Sequence, residues 1–129
     1  MYKQNRLTAS LAVIVMLLFS LSSCLPFYYY EKPVELELFG DVSMRSVYDQ
    51  EFECYDVYLE GIVENTTDKD LTGCSVSFTL YDEDGNVIGV ADDYINDLKT
   101  GAKWRFSAYG SMGYEPASFE LDELYGYEN

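Results

Sequence analysis

The segment Cys74-Ser75-Val76-Ser77-Phe78-Thr79-Leu80 alternates without a break between apolar and hydroxyl side chains. Successive side chains of a strand leave on opposite faces. This period of two therefore places Cys74, Val76, Phe78 and Leu80 inward, with Ser75, Ser77 and Thr79 outward. A helix would scatter the four apolar residues around its circumference, so the segment, running from about Gly73 to Tyr81, folds as a half-buried strand. The same period recurs elsewhere. Val34-Glu35-Leu36-Glu37-Leu38 alternates fully, and Tyr55, Val57, Leu59, Gly61 and Val63 oppose Asp56, Glu60 and Glu64. Tyr58 and Ile62 make that second face less than purely polar. Trp104, Phe106 and Ala108 alternate with Lys103, Arg105 and Ser107, and Ala117, Phe119 and Leu121 form a last run.

Turn chemistry separates these runs. Asn65 to Asp70 is rich in side chains that bond back to their own backbone. In Asp82-Glu83-Asp84-Gly85-Asn86, Gly85 can supply the positive φ a tight hairpin needs. Extended structure resumes from Val87 to Ala91. Ile95 and Leu98 then plug the bottom of the core across a loop, and Lys99-Thr100-Gly101 turns the chain. Gly110 to Pro116 forms another loop, and Asp122 to Tyr125 adds one helical turn or frays. Short strands at such intervals predict an all-β fold: a small antiparallel immunoglobulin-like β-sandwich of six or seven strands over residues 34–129.

The chain starts differently. Lys3 and Arg6 precede an unbroken apolar run from Leu11 to Phe19, closed by Leu21-Ser22-Ser23-Cys24. This is the layout of an export signal, and the run is too short for the roughly 20 apolar residues of a membrane span. Leu21-Ser22-Ser23-Cys24 resembles the lipobox of bacterial lipoproteins. That resemblance implies a diacylglycerol on the Cys24 thiol, cleavage of a signal peptide over residues 1–23, and a mature protein held on the extracytoplasmic side of the cell membrane. Two or more acyl chains anchor firmly where one does so only marginally. Residues 24–33 then form a short tether that includes Pro26-Phe27-Tyr28-Tyr29-Tyr30, whose aromatic rings suit the headgroup zone.

Several motifs of the body agree with one family. Phe78-Thr79-Leu80-Tyr81-Asp82 matches the Phe-x-Leu-Tyr-Asp signature of the FxLYD domain, a small β-sandwich module of bacterial and archaeal envelope and secreted proteins. Gly61-Ile62-Val63-Glu64-Asn65 resembles its Gly-x-Val-x-Asn strand end, and Asp82-x-x-Gly85-x-Val87 resembles its following hairpin. Leu98-x-x-Gly101, then Trp104-x-Phe106, resembles its later turn and aromatic strand. The resemblance covers about residues 52–122 and implies a β-sandwich with no established catalytic role. Cys54 and Cys74 are not part of the signature. An exported location permits a disulfide between them, whereas strand parity puts Cys74 on the apolar face and Cys54 on the outward one.

Composition narrows the chemistry. The chain carries a net charge of −15. Loss of the leader takes this to −17, because Lys3 and Arg6 leave and no acid does. Such a body repels nucleic acid, and any grip on an anionic membrane has to come from the lipid and the tether. With no histidine, a Ser-His-Asp or Cys-His site is excluded and the usual zinc ligand set is missing. The expectation is a non-catalytic binding or structural module of the cell envelope, with no cofactor. A small carboxylate-dependent hydrolase is a remote alternative.

Two groups of residues are candidates for contact with other molecules. Tyr109, Met112 and Tyr114 lie in a mobile, glycine-rich loop, and Tyr125 and Tyr127 extend the patch. Tyrosine offers wide amphipathic contact area, which suits an envelope protein or a glycan. Asp82, Asp84 and Asn86 place oxygens around Gly85, as a weak calcium site of an adhesion or sensing module does, with Asp92, Asp93 and Asp97 supplying a second acidic loop. Against calcium, the glycine falls early for an EF-hand and no glutamate closes the loop.

Overall fold

The computed structural model describes residues 31–129. The expected signal peptide, Cys24 and nearly all of the tether lie outside them. Eight strands follow one another: β1 (Val34–Glu35), β2 (Glu37–Leu38), β3 (Ser43–Asp49), β4 (Cys54–Glu64), β5 (Leu71–Tyr81), β6 (Val87–Leu98), β7 (Lys103–Met112) and β8 (Ser118–Glu128). All pairings are antiparallel, in the order β1-β8-β5-β6-β7-β4-β2, with β3 also on β4. The domain is all-β.

The alternating segment at residues 34–38 closes the structure. Val34 and Glu35 pair with Gly126 and Tyr125 of β8, whereas Glu37 and Leu38 pair with Glu64 and Val63 of β4. Leu36 sits between them, buried, and its N–H donates to the Leu124 carbonyl at 3.1 Å. One short strap thus joins two ends of the sheet in a barrel-like closure. On the opposite side the sheet folds over, since β6 and β7 pair at Asp92–Tyr109 alone among the described residues.

The predicted faces of the central strands are correct. Cys74, Val76, Phe78 and Leu80 are fully buried, as are Val57, Leu59, Val63, Phe106 and Ala108. Phe78 is the hub of the interior: its ring centroid lies 5.7 Å from that of Phe106 on β7 and 5.9 Å from that of Phe119 on β8. Trp104 stands edge-on to Phe106 at 6.0 Å. Offset and edge-on pairs of this kind suit the ring quadrupole and add to the area they bury.

Several expectations need correction. β3 adds a strand beyond the expected six or seven. It pairs along its whole length with β4, from Ser43↔Glu60 to Asp49↔Cys54, but contributes no fully buried residue. The expected loop around Ile95, with its acidic Asp92, Asp93 and Asp97, is continuous strand, because β6 pairs with β5 as far as Leu98↔Leu71. Asp93 supports that strand rather than a turn, accepting the N–H groups of Tyr94 (2.8 Å) and Ser107 (2.9 Å). The tail from Asp122 to Tyr125 is neither helical nor frayed but lies inside β8.

β8 also breaks simple parity. Phe78 faces Leu121 and Val76 faces Leu124, so β5 advances two residues while β8 advances three. The extra residue is a β-bulge. It turns Leu124 and Gly126 inward, while Leu121, expected in the core, does lie opposite Phe78 on the inner face yet is 39% exposed. Ala117, also expected inward, is exposed and precedes the strand.

Candidate functional site

The outward face of β3, β4 and β7 carries a ladder of aromatic and charged groups. Register sets Arg45, Tyr58, Tyr109 and Asp92 side by side across four strands. The Arg45 guanidinium carbon lies 4.4 Å from the centre of the Tyr58 ring, within cation–π range. The Tyr58 and Tyr109 centroids are 5.4 Å apart at an interplanar angle of 46°. The Tyr109 hydroxyl donates to Asp56 Oδ1 at 2.7 Å, and this bond is the main cause raising the phenol pKa above its ordinary value. Tyr48 and Tyr55 pair at 5.1 Å on the opposite face, where Tyr55 packs against the core, so they are not part of the ladder.

These contacts revise the expected binding loop. Tyr109, Gly110, Ser111 and Met112 are not loop but the end of β7. Within that strand Tyr109 points out, 45% exposed, while Met112 points in and is 5% exposed, which removes it from any contact surface. Tyr114 does lie in the connection after β7 and is 72% exposed. Tyr125 and Tyr127 do not extend this patch. They meet edge-on at 5.6 Å on β8, with β5 and β6 standing between them and β7. On that side Tyr125 shares a row with Ser75 and the exposed Tyr94. Sequence reasoning missed Arg45, Tyr58 and Asp56 as members of the ladder. The signal present was Tyr58 on the nominally polar face of its strand.

The Asp82 hairpin is internally satisfied. Asp82 Oδ1 accepts the N–H groups of Asp84 (3.0 Å) and Asn86 (2.8 Å), and Oδ2 accepts the Asn86 side-chain amide at 3.0 Å. The Asn86 side-chain bond leads the causes that hold the Asp82 carboxyl below its usual range. Asn86 therefore offers Asp82 its nitrogen rather than sharing a cation with it, and Gly85, at φ 82°, makes the turn. Among the described residues, no group of three or more Cys, Asp or Glu is placed to hold a metal ion.

The cysteines are both free. Cys74 is buried on β5, and burial, then the charge of Asp97, pushes its thiol pKa up. Cys54 begins β4, where Ser111 Oγ donates to its sulfur at 3.3 Å. Two strands, β6 and β7, separate β5 from β4, so the permitted disulfide does not form.

Of the motif residues, Asn65 is the one buried polar side chain among the described residues. Its Nδ2 donates to the carbonyls of Lys69 (2.8 Å) and Leu98 (3.0 Å), and its Oδ1 accepts from Thr67 N–H (3.1 Å) and Thr67 Oγ1 (2.6 Å). Thr100 Oγ1 bonds to the Thr67 carbonyl and completes the knot between the two turns at this end. Tyr81 faces outward and donates to Glu120 Oε2 at 3.0 Å.

No helix among the described residues is long and apolar enough to cross a membrane. No protein-family model matches the chain, and no solved structure matches it. An uncharacterized protein of Methanocaldococcus jannaschii is 36% identical over 59 residues, covering 46% of this chain and 44% of that protein. The chain thus spans less than half the length of that relative.

Proposed function

We propose that this protein is a non-catalytic binding module of the cell envelope, an FxLYD-type immunoglobulin-like β-sandwich held to the membrane by lipid on Cys24. The observation that carries the binding half is the Arg45–Tyr58–Tyr109 ladder. It sets aromatic area and a cation on a solvent-facing sheet, held in place by the Asp56 bond to Tyr109. Rigid amphipathic rings of this kind lose little entropy on contact and are enriched in protein and glycan interfaces. The fold-family half is supported by where the signature residues lie. Phe78, Leu80 and Asn65 are buried, and Asp82 is consumed by its own turn, so these residues have structural work that needs no ligand.

Crosslinking in intact cells, followed by mass spectrometry, tests both halves. Cys24→Ala removes the lipid adduct and shifts the protein out of the membrane fraction. Tyr58→Ala with Tyr109→Ala keeps the protein in the membrane but removes its crosslinked neighbour. An unchanged neighbour in the tyrosine double variant would show the ladder to be no contact surface, and a membrane-bound Cys24→Ala protein would remove the lipid anchor.

A further inference from the structure

A second surface, separate from the tyrosine ladder, lies where the closing strap leaves β8. Among the described residues the outer edge of β8 is paired at Tyr125 and Gly126 by β1 and reached at Leu124 by the Leu36 N–H. From Ser118 to Glu123 no described strand covers it. An unpaired edge presents N–H and C=O groups to any chain able to add a strand. Beside this edge opens a cleft of about 540 Å³. Leu36, Leu121 and Leu124 supply its apolar surface, and Glu35, Asp122 and Glu123 its acidic rim.

Leu121 faces the core residue Phe78 in register yet remains 39% exposed, so the apolar floor is incomplete on this side. The bulge in β8 falls at the same place and sets Asp122 and Glu123 side by side at the rim. Charge selects the occupant. A second copy of this chain would bring Glu120, Asp122 and Glu123 against their own kind, and like charges directly opposite across strands are destabilising. A basic strand would meet these groups with opposite charge and cover Leu121 with an apolar side chain.

We infer that the open edge of β8 takes up an extended segment of a partner protein, with lysine or arginine alternating with apolar residues, as an added strand. The assignment is independent of the lipid anchor and of the tyrosine ladder. The test uses the full chain in a neutral detergent at physiological ionic strength, with fluorescence anisotropy of a labelled Lys-Val-Lys-Val-Lys-Val-Lys peptide. Saturable binding is expected, with none for the peptide in which glutamate replaces lysine. N-methylation of the valines keeps the charge and blocks strand pairing, and should weaken binding by about tenfold or more. Asp122→Lys with Glu123→Lys should weaken it by about tenfold. Glu51→Lys with Glu53→Lys changes the net charge equally at the β3–β4 hairpin, whose strands do not pair with β8, and should leave it within about twofold. Absence of binding, equal binding of the N-methylated peptide, or equal loss in the hairpin variant would each overturn the assignment. In the first case the acids only guard an edge; in the others the attraction is diffuse charge.

Discussion

Asn65 offers the sharpest test of how this fold is held, because its two most conservative replacements should fail in different ways. Asn65→Ala deletes four hydrogen bonds. The Leu98 carbonyl loses its partner in a buried setting, whereas the Lys69 and Thr67 groups lie where water can replace the amide. An unsatisfied buried acceptor costs about 1–3 kcal/mol and each replaceable bond about 0.5 kcal/mol, giving roughly 3 kcal/mol in all. For a domain of about 100 residues that lowers Tm by roughly 12–24 °C. Asn65→Asp keeps the size and the acceptor toward Thr67 but turns the donor into an anionic oxygen facing the carbonyls of Lys69 and Leu98. Burial and that contact raise the folded-state pKa of the introduced carboxyl above its unfolded value. The variant's stability is therefore greatest at acid pH and is lost as pH rises through the raised pKa. At neutral pH Asn65→Asp should be less stable than Asn65→Ala, with the gap closing toward acid in thermal melts followed by circular dichroism. If Asn65→Asp equals or exceeds Asn65→Ala at pH 7, the side-chain amide is not the donor the structure assigns.

Other positions give simpler outcomes. A Cβ on Gly110 would stand 2.3 Å from the Val90 carbonyl oxygen, so Gly110→Ala should cost about 3 kcal/mol or more, while Gly113→Ala, with open space around it, should stay within about 0.5 kcal/mol in urea denaturation. Cys54 should react with a thiol reagent in the native protein and Cys74 only on unfolding, since burial raises its pKa; equal rates, or no free thiol, would contradict the buried site. The phenols of Tyr109 and Tyr81 are raised chiefly by hydrogen bonds to Asp56 and Glu120. Their contribution to stability is therefore full below the ordinary phenol value of about 10 and is lost as pH rises through the raised values. Tyr109→Phe should remove one late-ionising phenol from an ultraviolet titration, and an unaltered late phase would place Tyr109 away from Asp56.

What was legible in the sequence is what two-residue periodicity encodes. The inward faces of β4, β5 and β7 follow from it because those strands are central and one side of each is sealed. β3 escaped because it lies beside β4 and buries none of its side chains fully, leaving Val47 and Tyr48 exposed and no apolar alternation to find. β8 was half visible. Phe119 obeys parity, but the bulge moves the inward face to Leu124, and a register shift leaves no mark in composition. The end of β7 reads as loop in the sequence because of Gly110, whose missing side chain serves the close approach of Val90 rather than flexibility. The ladder was hidden for a further reason: Arg45, Tyr58 and Tyr109 come together only through pairing across β3, β4 and β7.

The structure also redistributes the meaning of the acidic composition. An excess of carboxylates invites a search for cations, yet many of those described are already partnered. Asp49, Asp82 and Asp93 accept backbone N–H groups, as does Asp70 from Thr100 at 2.9 Å. Asp56 and Glu120 accept phenols. Such bonds fix turns and side chains without a metal. The carboxylates at the rim of β8 are different in kind, since they flank an edge that no described strand covers beyond β1 and an incomplete apolar floor. Negative charge there repels another copy of the same chain and leaves the edge open to a basic one, which is selection by exclusion as much as by attraction.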